Sequence, residues 1–181
     1  MKKIKLMPNI ILMMLCMMIS VSASTQCHLS KEGRKFIQGV EKCSLERYWD
    51  NGAWSIGYGH RMTGKMKQYK KITKTQAVKF LNDDLKESER IANCIIKELK
   101  WNPSQSFFDG LVSVIYNCGG GGIYKTEFYK RLKNCRTLNG VVNKNDLNFT
   151  VAAIKNARIP DGIYADGVKS RRYLEHKLML N

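Results

Sequence analysis

Residues 41–60 read EKCSLERYWDNGAWSIGYGH, and they contain the strongest hairpin signal in the chain. Asn51 and Gly52 lie between aromatic-rich flanks, a combination typical of a β-hairpin with a two-residue turn. The glycines of residues 57–60 then indicate a bulge, a bend or a close approach of the backbone. This stretch therefore predicts a small β-region in a chain whose other patterns are helical.

One helix is predicted on each side of the hairpin. Ser30 can cap the first helix, which ends near residues 41–44 and has apolar residues at helical spacing: Phe36, Ile37, Val40 and Cys43. Thr73 opens the second helix, with Gln76 at the capping-box position. Its apolar stripe extends over residues 77–99, beyond the mean helix length, so we expect this helix to link two lobes.

The rest of the chain is predicted to be helical. A helix that begins at Pro103 and Ser104 is apolar nearly all round and should be buried, and the glycines of residues 119–122 should end it. Further helices are predicted near residues 125–132, 147–155 and 167–178. This order predicts an α+β fold, in which a long helix joins a small β-hairpin lobe to a larger helical lobe.

The N-terminal residues have the pattern of a secretory signal peptide. Lys2, Lys3 and Lys5 precede an apolar run over residues 10–21, and small residues follow at the spacing that a signal peptidase needs. The run is short for a membrane span, which needs about 20 residues, so cleavage after Ala23 is favoured over a retained anchor. We therefore expect residues 1–23 to be a signal peptide with only transient membrane contact, and residues 24–181 to be exported as one domain.

The chain is strongly basic. Its formal net charge of +16 falls to +13 when the three lysines of residues 1–23 are removed. An exported protein of this charge is expected to meet an anionic surface, although a solvated surface without a specific role also fits. No nucleic-acid partner is expected, because export and the lack of a zinc finger, a basic helix or an RNP-like strand argue against one. A monomer is expected.

The cysteines and histidines do not predict a metal site. Five cysteines remain in residues 24–181, so at least one is unpaired, and their connectivity cannot be deduced. There is no CxxC pair, and the three histidines are scattered. Neither a metal nor a cofactor is therefore expected.

Glu41 and Asp50 are candidates for acid–base chemistry. Hydrolysis of a glycosidic bond needs one carboxylic acid to protonate the leaving oxygen and a second group to direct water or to attack. Glu41 lies at a predicted helix C-terminus, where the dipole favours the protonated acid, and Asp50 lies beside a tight turn, where it stays solvated and ionised. The spacing alone also fits a surface glutamate and a turn-forming aspartate.

Several motifs in order resemble glycoside hydrolase family 24, the phage-type lysozymes. Glu41, Asp50 and residues 54–60 (WSIGYGH) resemble the catalytic segment of that family. Three further segments are similar to its inter-lobe helix, its buried central helix and its C-terminal signature: residues 73–77 (TKTQA), residues 108–119 (FDGLVSVIYNCG) and residues 167–172 (GVKSRR). The resemblance implies a lysozyme-like fold and hydrolysis of the β-1,4 bond between N-acetylmuramic acid and N-acetylglucosamine in bacterial peptidoglycan.

The resemblance also implies roles for the catalytic residues. Glu41 would be the acid, and a water held between Asp50 and Ser55 would attack from the opposite face with inversion. Ser55 stands where the family usually has threonine, so the hydroxyl is kept but the stiffening methyl is lost. The hairpin is also one residue shorter between Asp50 and Ser55, which makes the role of Asp50 depend on the turn.

Four further residues are expected near the substrate: Trp54, Tyr58, His60 and Asn117. The rings of Trp49, Trp54 and Tyr58 could stack on sugars or belong to the hairpin core. His60 is expected to pair with an acid beside the cleft, and Arg171 and Arg172 are expected to fix the last helix. Three other functions stay open: a catalytically weak peptidoglycan-binding protein, a lytic transglycosylase that needs only the acid, and a basic nucleic-acid binder.

Overall fold

The computed structural model describes residues 26–50, 52–160 and 165–181. Strand β1 (Ser44–Asp50) pairs antiparallel with β2 (Ala53–Gly57), and Asp50 lies opposite Ala53 across a two-residue turn. Gly52 in this turn has a φ of +82°, which favours glycine. Strand β3 (His60–Arg61) pairs with the other edge of β2. The predicted hairpin is therefore confirmed.

Helix α1 (Lys31–Val40) leads directly to Glu41, its C-cap residue. The hydroxyl of Ser30 caps the helix by accepting a hydrogen bond from the Gly33 N–H at 2.9 Å. The buried carboxylate of Asp109 accepts hydrogen bonds from the Ser30 N–H at 3.0 Å and from its hydroxyl at 2.5 Å. These contacts fix the start of α1 against the core and thereby set the position of Glu41.

Helix α2 (Lys74–Leu99) joins the two lobes, as predicted. Its capping box is complete, because Thr73 accepts from the Gln76 N–H at 3.2 Å and Gln76 accepts from the Thr73 N–H at 2.8 Å. The helix packs against β2 and β3 in one lobe and against the next helix, α3 (Gln105–Cys118), in the other. The expected two-lobed α+β arrangement is confirmed.

Helix α3 is the centre of the helical lobe. Ser104 caps it, Gly119 ends it, and most of its residues are buried, as its apolar composition predicts. It packs against α1, α2 and the last helix. The remaining helices, in chain order, are α4 (Gly120–Ile123), α5 (Glu127–Asn134), α6 (Lys144–Ala152) and α7 (Ala165–Met179).

Three local features differ from the expectations. Gly119 does end α3, but the glycines after it begin the short helix α4. A small hairpin, β4 (Thr137–Leu138) with β5 (Val141–Val142), was not predicted, because strands of two residues show no alternation. A 3₁₀ helix (Ala153–Asn156) follows α6 over residues predicted to continue a single helix.

The expected signal peptide lies outside the described residues. Within the described ranges, no helix combines the length and the apolarity needed to span a bilayer.

Candidate active site

A cleft lies between the β-hairpin and the helical lobe. It consists of two adjoining cavities of about 620 and about 340 Å³. Both cavities are lined by the same four residues: Glu41, Tyr48, Asp50 and Asn117. The end of α1, strand β1 and the end of α3 therefore bring the two carboxylates predicted to react into one cleft.

The alternation of strand residues decides which hairpin side chains face the cleft. Tyr48 and Asp50 lie on one face of β1, and Ser55 lies opposite Tyr48 on the same face. Ser55 is only 4% exposed and is not among the residues that line the two cavities. The structure thus places Asp50 at the cleft and Ser55 behind Tyr48, deeper in the hairpin.

Trp54 lies on the opposite face of the hairpin. Its ring packs edge-to-face on that of Trp49, with centroids 5.4 Å apart, and the Arg47 guanidinium lies 4.5 Å from its centroid. Trp54 does not line either cavity, whereas the exposed Trp49 lies at the rim of the larger one. Of the two tryptophans that could stack on sugars, Trp49 reaches the cleft and Trp54 does not.

Glu41 belongs to a buried network of charges. Arg171 on α7 donates to the carboxylate of Glu41 and, through Nε, to Glu175 at 2.8 Å. Arg172 donates through Nη1 to the other oxygen of Glu175 at 2.5 Å. Two arginines thus face two glutamates. Of these four residues, Glu41 and Arg171 line the cleft, whereas Arg172 and Glu175 do not. Burial alone would lower the pKa of Arg171, but Glu41 and Glu175 raise it, so its guanidinium stays charged.

The second arginine of the network holds Asn117 in place. Arg172 is fully buried and donates through Nη2 to Asn117 Oδ1 at 2.6 Å and through Nε to the Ala157 carbonyl at 2.8 Å. Arg172 therefore fixes α7, as expected, and also orients the amide of a cleft residue. Tyr58, another predicted site residue, is buried along the smaller cavity, and its carbonyl accepts from the Tyr116 hydroxyl at 2.8 Å.

His60 does pair with an acid. Its Nδ1 lies 2.9 Å from the carboxylate of Asp84 on α2, and its ring stacks on Phe80 with centroids 4.8 Å apart. Asp84 itself lines the smaller cavity, whereas His60 does not. His60 therefore lies behind the cleft wall and ties β3 to the long helix.

Comparison with known proteins identifies the family of the chain. The family model described as Phage lysozyme matches residues 38–175. The chain belongs to the phage lysozyme family. This membership confirms the resemblance read from the sequence motifs.

Two similar proteins are endolysins of bacteriophages. An endolysin of Bacillus phage PZA is 30% identical over 112 residues, which are 60% of this chain and 42% of that protein. The chain thus spans about two fifths of the length of this curated relative. The solved endolysin from Escherichia coli O157:H7 phage FAHEc1 is 27% identical, with a TM-score of 0.66, over 85% of this chain and 94% of that one.

A second solved structure is similar in fold. The muramidase domain of SpmX from Asticaccaulis excentricus is 20% identical, with a TM-score of 0.69. The match covers 86% of this chain and 99% of that domain. At this identity the likeness concerns the fold alone.

Sequence reasoning missed three residues of this lysozyme-family cleft. Tyr48 lines both cavities, and burial followed by the charges of Asp50 and Glu41 raises its pKa. Asp84 lines the smaller cavity, and Arg171 contacts Glu41. The alternation of β1 could have identified Tyr48, two residues before Asp50. No local pattern connects Arg171 to a glutamate 130 positions away.

Asp84→Asn is expected to reduce the dependence of stability on pH. The hydrogen bond from Asp84 raises the pKa of His60 above its ordinary value of 6.5, against an opposing effect of burial. A raised pKa in the folded state adds stability below the ordinary value, and this stability is lost as the pH rises through the raised value. From about pH 6 to about pH 8, the free energy of unfolding should therefore fall more in the wild type than in the variant.

Urea unfolding at several pH values measures this difference. Asp83→Asn is the matched control, because Asp83 is adjacent in sequence but its carboxylate pairs with Lys86. In Asp83→Asn, the free energy of unfolding should keep most of the pH dependence of the wild type. The same pH dependence in the wild type and in Asp84→Asn would contradict the assigned role of the His60–Asp84 pair.

Proposed function

We propose that the chain hydrolyses the β-1,4 bond between N-acetylmuramic acid and N-acetylglucosamine in bacterial peptidoglycan. The observation that carries this proposal is the meeting of Glu41 and Asp50 in one cleft of a chain from the phage lysozyme family. Clearing of a peptidoglycan suspension by the purified protein, with new reducing ends, tests the activity.

Glu41 is the acid in this proposal. Its side chain is 18% exposed, so it reaches the cleft while its surroundings hold it in place. Glu41 caps the C-terminal end of α1, and a hydrogen bond from Arg171 orients its carboxylate. Glu41 donates its proton to the leaving oxygen, and Arg171 then stabilises the carboxylate that forms.

Asp50 directs the attacking water. It is exposed at the end of β1 beside the turn, so solvent reaches its carboxylate, which can accept a proton from the attacking water. Both carboxylates line the same two cavities, and we propose that the attacking water of an inverting reaction lies between them. Ser55 supports the hairpin beneath Tyr48, and we propose that it assists the water from this deeper position.

Asp50→Asn is expected to lower peptidoglycan turnover at least about 100-fold, because the amide cannot accept the proton of the attacking water. Initial rates on purified peptidoglycan measure the loss, and rapid NMR of the wild-type reaction should find the α-anomer as the first product. Asp146→Asn, far along the chain on α6, is the control and should leave the rate unchanged. Near-wild-type turnover by Asp50→Asn, with anhydro-sugar products, would instead support a lytic transglycosylase.

A specific observation supports that second candidate function. Asp50 and Ser55 are the two groups expected to hold the water. Of the two, Asp50 lines the cavities and Ser55 does not. A transglycosylase needs the acid but no water-directing group. Its products end in anhydro-sugars, which mass spectrometry separates from the reducing ends of hydrolysis. Wall binding without turnover, the third possibility, would leave peptidoglycan uncleaved.

We further propose that the chain is exported as a monomer after removal of residues 1–23, and acts at the anionic cell wall. The support is the leader pattern and the net charge of +13 that remains after its removal. Intact mass of the active secreted protein should correspond to a chain that starts at Ser24. Active protein that keeps Lys2, Lys3 and Lys5 would instead indicate a signal anchor.

A further inference from the structure

Residues 64–71, which we call the basic strap, cross the β-lobe outside the cleft. From residue 61 to residue 79 the chain has seven Lys or Arg residues and no Asp or Glu. Lys65, Lys67 and Lys70 are exposed, and in the described part of the chain they have no carboxylate partner within ion-pair distance. Lys71 pairs with the exposed Glu46 at 3.5 Å. Most of the positive charge on the strap is therefore uncompensated.

Hydrogen bonds hold the strap against β1, so its lysines project from a fixed backbone. The Arg47 N–H donates to the Lys70 carbonyl at 3.1 Å, and the Ile72 N–H donates to the Leu45 carbonyl at 2.9 Å. The Arg47 guanidinium donates to the Lys67 carbonyl at 3.0 Å. A preorganised array of cations loses less conformational entropy on binding than a free loop would lose.

An aromatic surface lies beside the strap. The Arg47 guanidinium covers the Trp54 ring, and Trp49, which packs on Trp54, is 62% exposed. An exposed indole offers an apolar face for the carbons of a sugar or a polyol. Cations next to such a ring fit a ligand that alternates carbon-rich units with anionic groups.

We propose that the basic strap, with Arg47 and Trp49, binds a polyol-phosphate polymer of the bacterial cell wall. The proposal rests on the proposed function only in assuming that the chain works at the wall. Each phosphodiester carries a permanent negative charge, so one extended polymer engages several strap lysines at once while its carbons contact Trp49. The surface reaches the rim of the cleft at Trp49, so a bound polymer holds the enzyme next to its glycan substrate.

Binding of the full chain to soluble poly(glycerol phosphate) tests this surface. The strap variant is Lys65→Gln, Lys67→Gln and Lys70→Gln together, which keeps every backbone acceptor that holds the strap. Its affinity for the polymer should fall about tenfold at low salt, because the variant loses three exposed charge contacts that each contribute modestly. The wild type should also lose affinity with added salt more steeply than this variant.

The matched control removes the same charge from the other lobe: Lys125→Gln, Lys130→Gln and Lys144→Gln, all at exposed positions. It should lose less than about twofold in affinity. A strap variant with three Lys→Arg substitutions should bind like the wild type. Equal losses in the two Gln variants would overturn the proposal, because net charge would then explain the binding. Tighter binding to duplex DNA than to the polymer would overturn it in favour of a nucleic-acid surface.

Hydrolysis of peptidoglycan stripped of phosphate polymers is measured in parallel, so the two proposals can fail separately. Polymer binding that depends on the strap, without hydrolysis, supports the strap and removes the proposed enzyme function. Hydrolysis without polymer binding removes the strap proposal and leaves the enzyme function intact.

Discussion

Glu41→Gln is expected to lower peptidoglycan turnover by about 10²–10⁴-fold, the usual contribution of a general acid. The amide keeps the shape of the side chain and can still accept from Arg171, but it cannot donate a proton to the leaving oxygen. Initial rates of release of reducing ends from purified peptidoglycan measure the effect. Unfolding curves for each variant separate lost chemistry from lost structure.

Two further variants sharpen this prediction. Glu41→Asp retains both the acid and the charge facing Arg171 but withdraws the carboxyl group, so its rate should lie between those of the wild type and Glu41→Gln. Glu32→Gln changes an exposed glutamate in the first turn of the same helix and should leave the rate unchanged. A folded Glu41→Gln variant that loses less than about fivefold in rate would show that Glu41 is not the acid.

Glu175→Gln should lower the free energy of unfolding by about 3–5 kcal/mol, the usual cost of removing one partner from a buried ion pair. Glu175 is fully buried and accepts from Arg171 at 2.8 Å, from Arg172 at 2.5 Å and from the Ser113 hydroxyl at 2.6 Å. Its neutralisation leaves two buried guanidinium groups opposite Glu41 alone. Urea unfolding at neutral pH measures the loss.

Glu87→Gln is the control for this stability prediction. Glu87 also pairs with an arginine on its own helix, Arg90, at 2.7 Å, but the two side chains are 60% and 62% exposed. Solvent screens such a pair, so its loss should cost far less stability than the loss of the Glu175 carboxylate. Equal costs for the two variants would mean that burial does not set the strength of the Glu175 network.

The parts of the fold that depend on short-range patterns could be predicted from the sequence. The capping box of Thr73 and Gln76 and the turn at Gly52 each depend on a few neighbouring residues, and both lie where the patterns indicate. The buried central helix was also predictable, because a helix that is apolar nearly all round has no face suited to water.

The charge network around Glu41 was not predictable in the same way. Arg171 and Glu175 are four positions apart on a helix, a spacing that is equally typical of an exposed ion pair. Only the packing of α7 against α3 buries this pair and brings Arg171 to Glu41. The motif resemblance identified the segment, but the contact depends on tertiary structure.

The positions of the hairpin residues were partly predictable. Alternation places Asp50 and Ser55 on one face, but it does not say how deep each residue lies. Ser55 is covered because it pairs with Tyr48 in the interior of the sheet, whereas Asp50 lies at the open end beside the turn. Trp54 was expected near the substrate, and the same alternation turns it to the opposite face.

The most direct test of glycan hydrolysis is digestion of purified peptidoglycan in water enriched in heavy oxygen, followed by mass spectrometry of the released fragments. Hydrolysis directed by Asp50 predicts that each new N-acetylmuramic acid end carries one heavy oxygen at its reducing carbon. Glu41→Gln should release almost none of these ends. Fragments with anhydro ends and no heavy oxygen, or cleavage only within the peptides, would contradict the proposed hydrolysis.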